Sequence, residues 1–289
     1  MGASTRSIGM SLEDDFCDII KKARCGQGLS LAEVARASGL PAGEVAMLER
    51  GGRKPTAHEV EVLAMALGLR TEPLLESVLG CWRPAPPPME AAVETVVGDL
   101  NGYAVNGYVV YDAGEAVFVD TAGLGEAMLA ALKRLGLRLK AICLTHGHAD
   151  HAGGLAVVLQ HHRVPVYLGW ADKPLLGWIP TAGVLTPAEE GQALAVGRLL
   201  LHMIKTPGHT LGGTCYRLQG ADHEVCFVGD TLFAGSIGWS NPASLYPVHL
   251  ETVRTRLLTL PAHTLLLPGH GPATTVREER AHNPFAGSG

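Results

Sequence analysis

Apolar positions over the first eighty residues recur at helical spacing. Phe16, Ile19 and Ile20 share one face of a segment expected over Glu13 to Arg24. Leu31, Val34 and Ala35 do the same in a second segment. Ser30 opens it, and Glu33 three residues on completes a capping box. A turn at Gly39-Leu40-Pro41 leads to a third helix, Ala42 to Arg50, which stops at Gly51-Gly52. Thr56 with Glu59 is a second capping box and opens a helix through Leu67; Arg70 to Leu79 makes the fifth. Past residue 90 the period changes, and short β-branched runs alternate with Gly/Asp turns. Val109-Val110-Tyr111 and Ala116 to Asp120 read as a hairpin turning at Asp112-Ala113-Gly114. An amphipathic helix over about Glu126 to Leu135, an apolar strand over Leu139 to Leu144 and a helix over Ala152 to His161 follow. Between the two patterns, Pro84, Pro86, Pro87 and Pro88 disfavour both helix and sheet and favour a stiff extended linker. The expected division is residues 1–80, a linker over 81–90, and a second domain over 91–289.

Composition agrees with two unequal domains. A chain of 289 residues, 47% hydrophobic, can bury a sizeable core, and 36 glycines suit a turn-rich α/β or sandwich fold. The net charge of −5 gives no global case for nucleic-acid or membrane attraction. No apolar run reaches the length of a membrane span, and Met1 to Leu12 lacks the basic-then-apolar order of a signal peptide. The six cysteines form no C-x-x-C pair, so reduced thiols in the cytoplasm are expected. Cys143 and Cys226 lie in apolar strands and read as inert core residues.

The chemistry concentrates in Thr145-His146-Gly147-His148-Ala149-Asp150-His151, directly after an apolar strand. Imidazole and carboxylate are ready ligands for zinc, iron or manganese. Three further stations repeat the design of an apolar strand, a glycine turn and one projecting ligand: Gly208-His209, Gly229-Asp230 and Gly269-His270. Seven candidate ligands exceed what one tetrahedral ion takes. They suit two divalent ions that share a carboxylate and a water. Asp120 is a candidate orienter of a ligand. Trp239 and Tyr246 are candidates either to line a pocket or to cap the core.

Two resemblances follow from these residues. Ser30-Leu-Ala-Glu-Val-Ala-Arg-Ala-Ser-Gly-Leu-Pro41 with Met47-Leu-Glu-Arg-Gly-Gly-Arg-Lys-Pro55 resembles the Cro/C1 (XRE-type) helix-turn-helix over roughly residues 12–78. The resemblance implies that the helix after the turn enters the major groove of DNA. Here that helix offers Ala42, Gly43, Glu44 and Ala46, and residues 1–80 hold nine basic against eleven acidic residues, short of a basic footprint. The candidate DNA contacts are Arg50, Arg53 and Lys54. The alternative is a scaffold used for docking or for forming a homodimer.

His146-x-His148-x-Asp150-His151, followed by His209, Asp230 and His270 in this order, resembles the metallo-β-lactamase-fold hydrolases over about residues 91–284. The resemblance implies an α/β fold, an αββα sandwich with metals at one edge, preceded here by a small all-α unit. It implies His146, His148 and His209 on one metal, Asp150, His151 and His270 on the other, and Asp230 as the bridge. Zinc is the first expectation, with iron or manganese as alternatives. Asp150-His151 argues against antibiotic hydrolysis, and His148 stands where flavodiiron proteins place Glu. Gly229 to Gly238, Pro268 to Pro272 and Glu278 to Phe285 look like the short glyoxalase II-like hydrolases of thioesters such as S-acylglutathione. The helical C-terminal domain of full-length glyoxalase II is expected to be absent, and Gly238-Trp239-Ser240-Asn241 replaces a Gly-Arg-Thr/Ser-Asp run. The pocket is therefore expected to be less charged. The reaction type carries over and the substrate does not. The expected activity is hydrolysis of a thioester or ester, with Asp150 orienting the attacking hydroxide or receiving a proton. Three rivals remain: a persulfide dioxygenase with one iron on His146, His148 and Asp230, a lactonase, and a DNA-binding regulator whose metal domain senses or degrades an effector.

Overall fold

The computed structural model describes residues 11–88, 92–123, 125–221 and 223–287. The expected starts and ends at residues 1, 90–91 and 289 lie outside the described residues. Five helices come first: α1 (Phe16–Gly26), α2 (Leu31–Ser38), α3 (Ala42–Glu49), α4 (Ala57–Leu67) and α5 (Thr71–Leu79). Both expected capping boxes form, Ser30 with Glu33 and Thr56 with Glu59. A third box, Asp15 with Asp18, starts α1 at Phe16 rather than at Glu13. Glu13 and Asp14 thereby stay outside the helix.

Twelve strands form two six-stranded sheets among the described residues. The first holds β1 (Val93–Leu100), β2 (Tyr103–Asp112), β3 (Glu115–Val119), β4 (Arg138–Cys143), β5 (Val166–Leu168) and β6 (Leu185–Pro187), neighbours in that order. The second holds β7 (Ala193–Val196), β8 (Leu199–Lys205), β9 (Thr214–Gln219), β10 (Val225–Gly229), β11 (Leu265–Pro268) and β12 (Thr274–Thr275), ordered β12-β11-β10-β9-β8-β7. Helix α6 (Glu126–Leu135) falls where the amphipathic pattern placed it. The helix expected over Ala152 to His161 is instead two, α7 (Ala149–Ala152) and α8 (Leu155–His161), parted at Gly153-Gly154. Helices α9 (Tyr246–Thr252), continued by one π turn, and α10 (Val276–His282) flank the second sheet.

Strand alternation sorts the core into layers. Val117, Val119, Ala141 and Cys143 meet Tyr216, Leu218, Val225, Phe227, Leu265 and Leu267 between the sheets. Their neighbours Ala116, Phe118, Ile142 and Leu144 face α6 and α8 with Met128, Leu132, Leu155 and Val158. On the far side, Cys215, Cys226, Val228 and Leu266 point outward into a cluster with Val253, Leu257 and Val276. That cluster continues without a break into Phe16, Ile19, Ile20, Leu48, Leu63 and Leu74 of the helical unit. Each fully buried Ile or Phe contributes about 1.5–3 kcal/mol relative to exposure.

The helical unit is therefore docked on the second sheet's outer layer. Residues 81–88 have no helix or strand, as the prolines dictate, yet they are not a free tether. Trp82 Nε1 donates to Glu278 at 2.8 Å, and its ring stacks on His282 at 4.8 Å. Arg70 donates to the carbonyls of Arg280 and Ala281, and its backbone N–H to that of Pro284. No helix among the described residues is long and apolar enough to cross a membrane.

Candidate metal centre

All four ligand stations lie at the same end of the two sheets. Strand β4 runs into the loop carrying His146, His148, Asp150 and His151; β10 ends at Gly229 just before Asp230; β11 ends at Pro268 before His270. His146, His148 and His209 form one donor group, and Asp150, His151, Asp230 and His270 a second; in each group the donor atoms lie within 4.8 Å of one another. Packing at this point leaves no room for side chains. A Cβ on Gly269 would lie 2.4 Å from Asp230 Oδ1, and one on Gly238 would lie 2.1 Å from the Asp230 carbonyl.

All the imidazoles but that of His148 have one nitrogen anchored and one aimed inward. His151 Nδ1 meets Asp120 Oδ2 at 2.8 Å, His209 Nδ1 donates to the Trp239 carbonyl at 2.6 Å, and His270 Nδ1 donates to the Ala104 carbonyl at 2.8 Å. Such outer contacts fix the tautomer and leave the other nitrogen's lone pair for a cation. His148 is turned the other way, its Nδ1 lying 3.0 Å from His209 Nε2. Buried His146 Nε2, His151 Nε2 and Asp230 Oδ1 have no hydrogen-bond partner among the described residues. Orphaned buried donors and acceptors are costly; His151 Nε2 and Asp230 Oδ1 lie 3.3 Å apart, an ion pair when the imidazole is protonated and two ligand atoms when a cation replaces that proton. The residues present thus fit bound metal ions.

The electrostatics agree. Burial pushes His146 well below the usual imidazole range and His209 down to about 4, so both present neutral lone pairs at neutral pH. Burial also opposes protonation of His151, but Asp230 and Asp120 outweigh it and hold that imidazole well above the ordinary value. For Asp230, burial works upward and is overcome by His151, which keeps the carboxylate well below its usual range. A bound cation would take the place of that imidazole proton.

Three residues that brace the site were not singled out as braces by sequence. Asp172, fully buried, accepts from Gly147 N, Thr210 Oγ1 and Gly212 N, and so ties the histidine loop to the His209 loop. Asn106 Nδ2 donates to the carbonyls of Pro268 and Gly271 around His270. Lys22, from α1, donates to the Ile237 carbonyl at 2.8 Å, next to the turn carrying Trp239. Asp120 accepts also from Thr145 N and Oγ1, and it does so from a left-handed backbone at φ 60°. Strain of that kind is held by the surrounding contacts and gathers at functional sites.

Over the donors lies a cavity of about 380 Å³, lined by Asp150, Asp230, His209, His270, Tyr103 and Trp239 among others. A larger groove of about 770 Å³ beside α8 holds no ligand cluster, and Arg163 is the charged side chain in its lining. The chemistry points to the smaller one. Trp239 stands at its rim, 42% exposed. Tyr246 does not line it: the ring is 5% exposed and packs beneath Gly26 of α1, where the docked helical unit covers it. Of the candidate DNA contacts, Arg50 and Lys54 are exposed. Arg53 is committed instead to Glu44 and Glu59, at 2.6 and 2.5 Å.

Residues 100–270 match the model of the metallo-beta-lactamase superfamily, and residues 20–74 match a helix-turn-helix model. Hydroxyacylglutathione hydrolase GloC of Haemophilus influenzae is 31% identical over 194 residues, 61% of this chain and 90% of that protein. The structure of TTHA1623 in a di-iron-bound form is 32% identical with a TM-score of 0.56, covering 66% of this chain and 99% of that one. The structure of the B3 metallo-beta-lactamase BLEG-1 is also 32% identical, with a TM-score of 0.54, covering 67% of this chain and 99% of that one. The two likenesses are of equal strength, so they do not rank substrates, and Asp150-His151 alone does not set lactams aside. In both comparisons about a third of this chain has no counterpart.

Proposed function

This chain belongs to the metallo-beta-lactamase superfamily and carries a helix-turn-helix unit ahead of that domain; on that premise we propose that it hydrolyses a thioester or a related ester. The observation that carries the reading is the double donor set, three residues beside four, with its buried orphan atoms. In this reading His146, His148 and His209 hold one ion, Asp150, His151 and His270 a second, and Asp230 both. Zinc is the ion we favour. Bound there, the ions would supply Lewis acidity and, by lowering the pKa of water, hydroxide near neutral pH.

The protein's own groups then have separate tasks. Asp150 is the more accessible of the two central carboxylates, its side chain 28% exposed against 10% for Asp230, and it lines the cavity. It orients the attacking water and takes up its proton. His270 Nε2 lies 3.1 Å from this carboxylate, so the two donor atoms stand where one cation would bind both. Tyr103 and Trp239 receive the part of the substrate beyond the acyl carbon. A thioester is favoured over a lactam by the Gly229–Gly238 and Glu278–Phe285 runs, which look like those of the short glyoxalase II-like hydrolases.

The test is metal analysis of the purified full chain together with a panel of thioesters, lactones, a lactam and a persulfide. About two metal equivalents per chain and turnover of thioesters are expected. One iron per chain with oxygen uptake on the persulfide would replace this reading with a dioxygenase. Full metal loading without cleavage of any ester would remove it.

A further inference from the structure

The cavity over the metal centre is closed on one side by the helical unit. Glu13, Asp14 and Lys22 all line it. Lys22 is 4% exposed. Its ammonium donates to Asp14 Oδ2 at 2.5 Å and to the Ile237 carbonyl at 2.8 Å, and it lies 5.0 Å from the centre of the Phe233 ring. Asp14 also accepts from Ser236 Oγ at 2.5 Å. The one lysine or arginine among the described lining residues is thus neutralised inside the protein. A substrate carboxylate would find no free cation on this wall.

Glu13 differs. It is exposed, it lies against Gly271 next to His270, and it has no hydrogen-bond or ion-pair partner among the described residues. Tyr103, 74% exposed, and Trp239 line the same cavity. The outer pocket is therefore aromatic and carries, in Glu13, a carboxylate outside any hydrogen bond or ion pair of the described residues. Aromatic faces beside a carboxylate suit a quaternary or other organic cation.

We propose that the helical unit is part of the substrate site, and that Glu13 selects substrates whose non-acyl portion is neutral or cationic over those bearing carboxylates. The proposal takes its reaction from the hydrolase reading, but its charge preference stands on the wall alone. Glutathione, with two carboxylates, meets Glu13 where it would need a cation. Lys22 is a positioning residue. By holding the Ile237 carbonyl it sets the turn whose Trp239 carbonyl receives His209 Nδ1.

The experiment uses the zinc-loaded full chain and three thioesters of one acyl group, on thiocholine (cationic), N-acetylcysteamine (neutral) and glutathione (anionic). We expect kcat/KM to fall in that order, chiefly through KM. Glu13→Gln should reduce the thiocholine-to-glutathione ratio roughly threefold and Glu13→Lys roughly tenfold, the scale of solvent-screened charge pairs. Melting midpoints should stay at the wild-type value, since Glu13 is exposed. A wild-type preference for the glutathione thioester, or a ratio unmoved in both variants, overturns the proposal. Titration calorimetry of the S-methyl ethers of the three thiols, which carry no metal-binding thiolate, reads the same order without turnover. If no thioester is cleaved, the hydrolase reading fails while the titration still decides the charge preference.

Discussion

The candidate metal centre and the α3 end of the helical unit are both dense in charged and polar side chains, and they handle them in opposite ways. At the metal centre, His146 Nε2, His151 Nε2 and Asp230 Oδ1 are buried and lack hydrogen-bond partners among the described residues. At α3, Arg53 is gripped by Glu44 and Glu59, and Arg24 makes a bidentate pair with Glu49. Groups left unsatisfied inside a protein imply a ligand that satisfies them. Charges that already satisfy one another hold a scaffold together and have less to offer a partner. The histidine loop is thus built for binding, whereas the turn after α3 spends much of its chemistry on its own fold.

The contrast is sharpest at Asp120, which serves the centre without being in either donor group. Asp120→Asn keeps the shape but weakens the hold on His151 Nδ1. Metal affinity should fall about 10–100-fold, the usual loss when a ligand's supporting partner goes. A competition titration with a chromophoric chelator measures this, and an unchanged affinity would make Asp120 a turn former only.

Glu279 is the counter-case of a buried carboxylate that is satisfied. It accepts from Gly235 N, Thr274 Oγ1 and Asn283 Nδ2 behind the Trp239 loop. Burial still raises its pKa from 4.5 to about 7. The folded state therefore keeps this proton to higher pH than the unfolded state does. Its contribution to stability is greatest below pH 4.5 and declines as pH rises toward 7. Glu279→Gln should flatten that part of the melting-midpoint profile; a profile of wild-type slope would count against the assignment.

At the helical end the smallest effects are expected. If DNA binds α3, Arg50→Ala and Lys54→Ala should each reduce the salt dependence of binding by about one counterion, with little change in sequence preference. Arg53→Ala should lower the melting midpoint slightly and leave that slope alone. Equal slopes for all three variants would erase the distinction between exposed and committed cations drawn here.

Much of this was legible in the chain. Capping boxes at Ser30 and Thr56, the α6 pattern and the hairpin at Ala113-Gly114 use contacts a few residues apart, which local sequence encodes. The seven candidate ligands were visible because they sit in four strand-end segments, each with a glycine turn. Lys22 was not, because its carbonyl partner lies 215 residues away. Asp172 was not legible either, because its partners come from two other loops. Tyr246 was open to two readings, and only docking of α1 over it settled that the ring belongs to the core.

The sequence by itself determined the period of each element, the order of the ligand stations and the family, since these depend on neighbours along the chain. Tertiary structure alone decided that the helical unit joins the core of the second sheet and walls the cavity with Glu13, Asp14 and Lys22. The reason is physical. Burial of Phe16, Ile19 and Ile20 is satisfied by any complementary apolar surface, and nothing in their spacing says which surface that is. The chain finds it only when β9, β10 and β11 present their outward faces together.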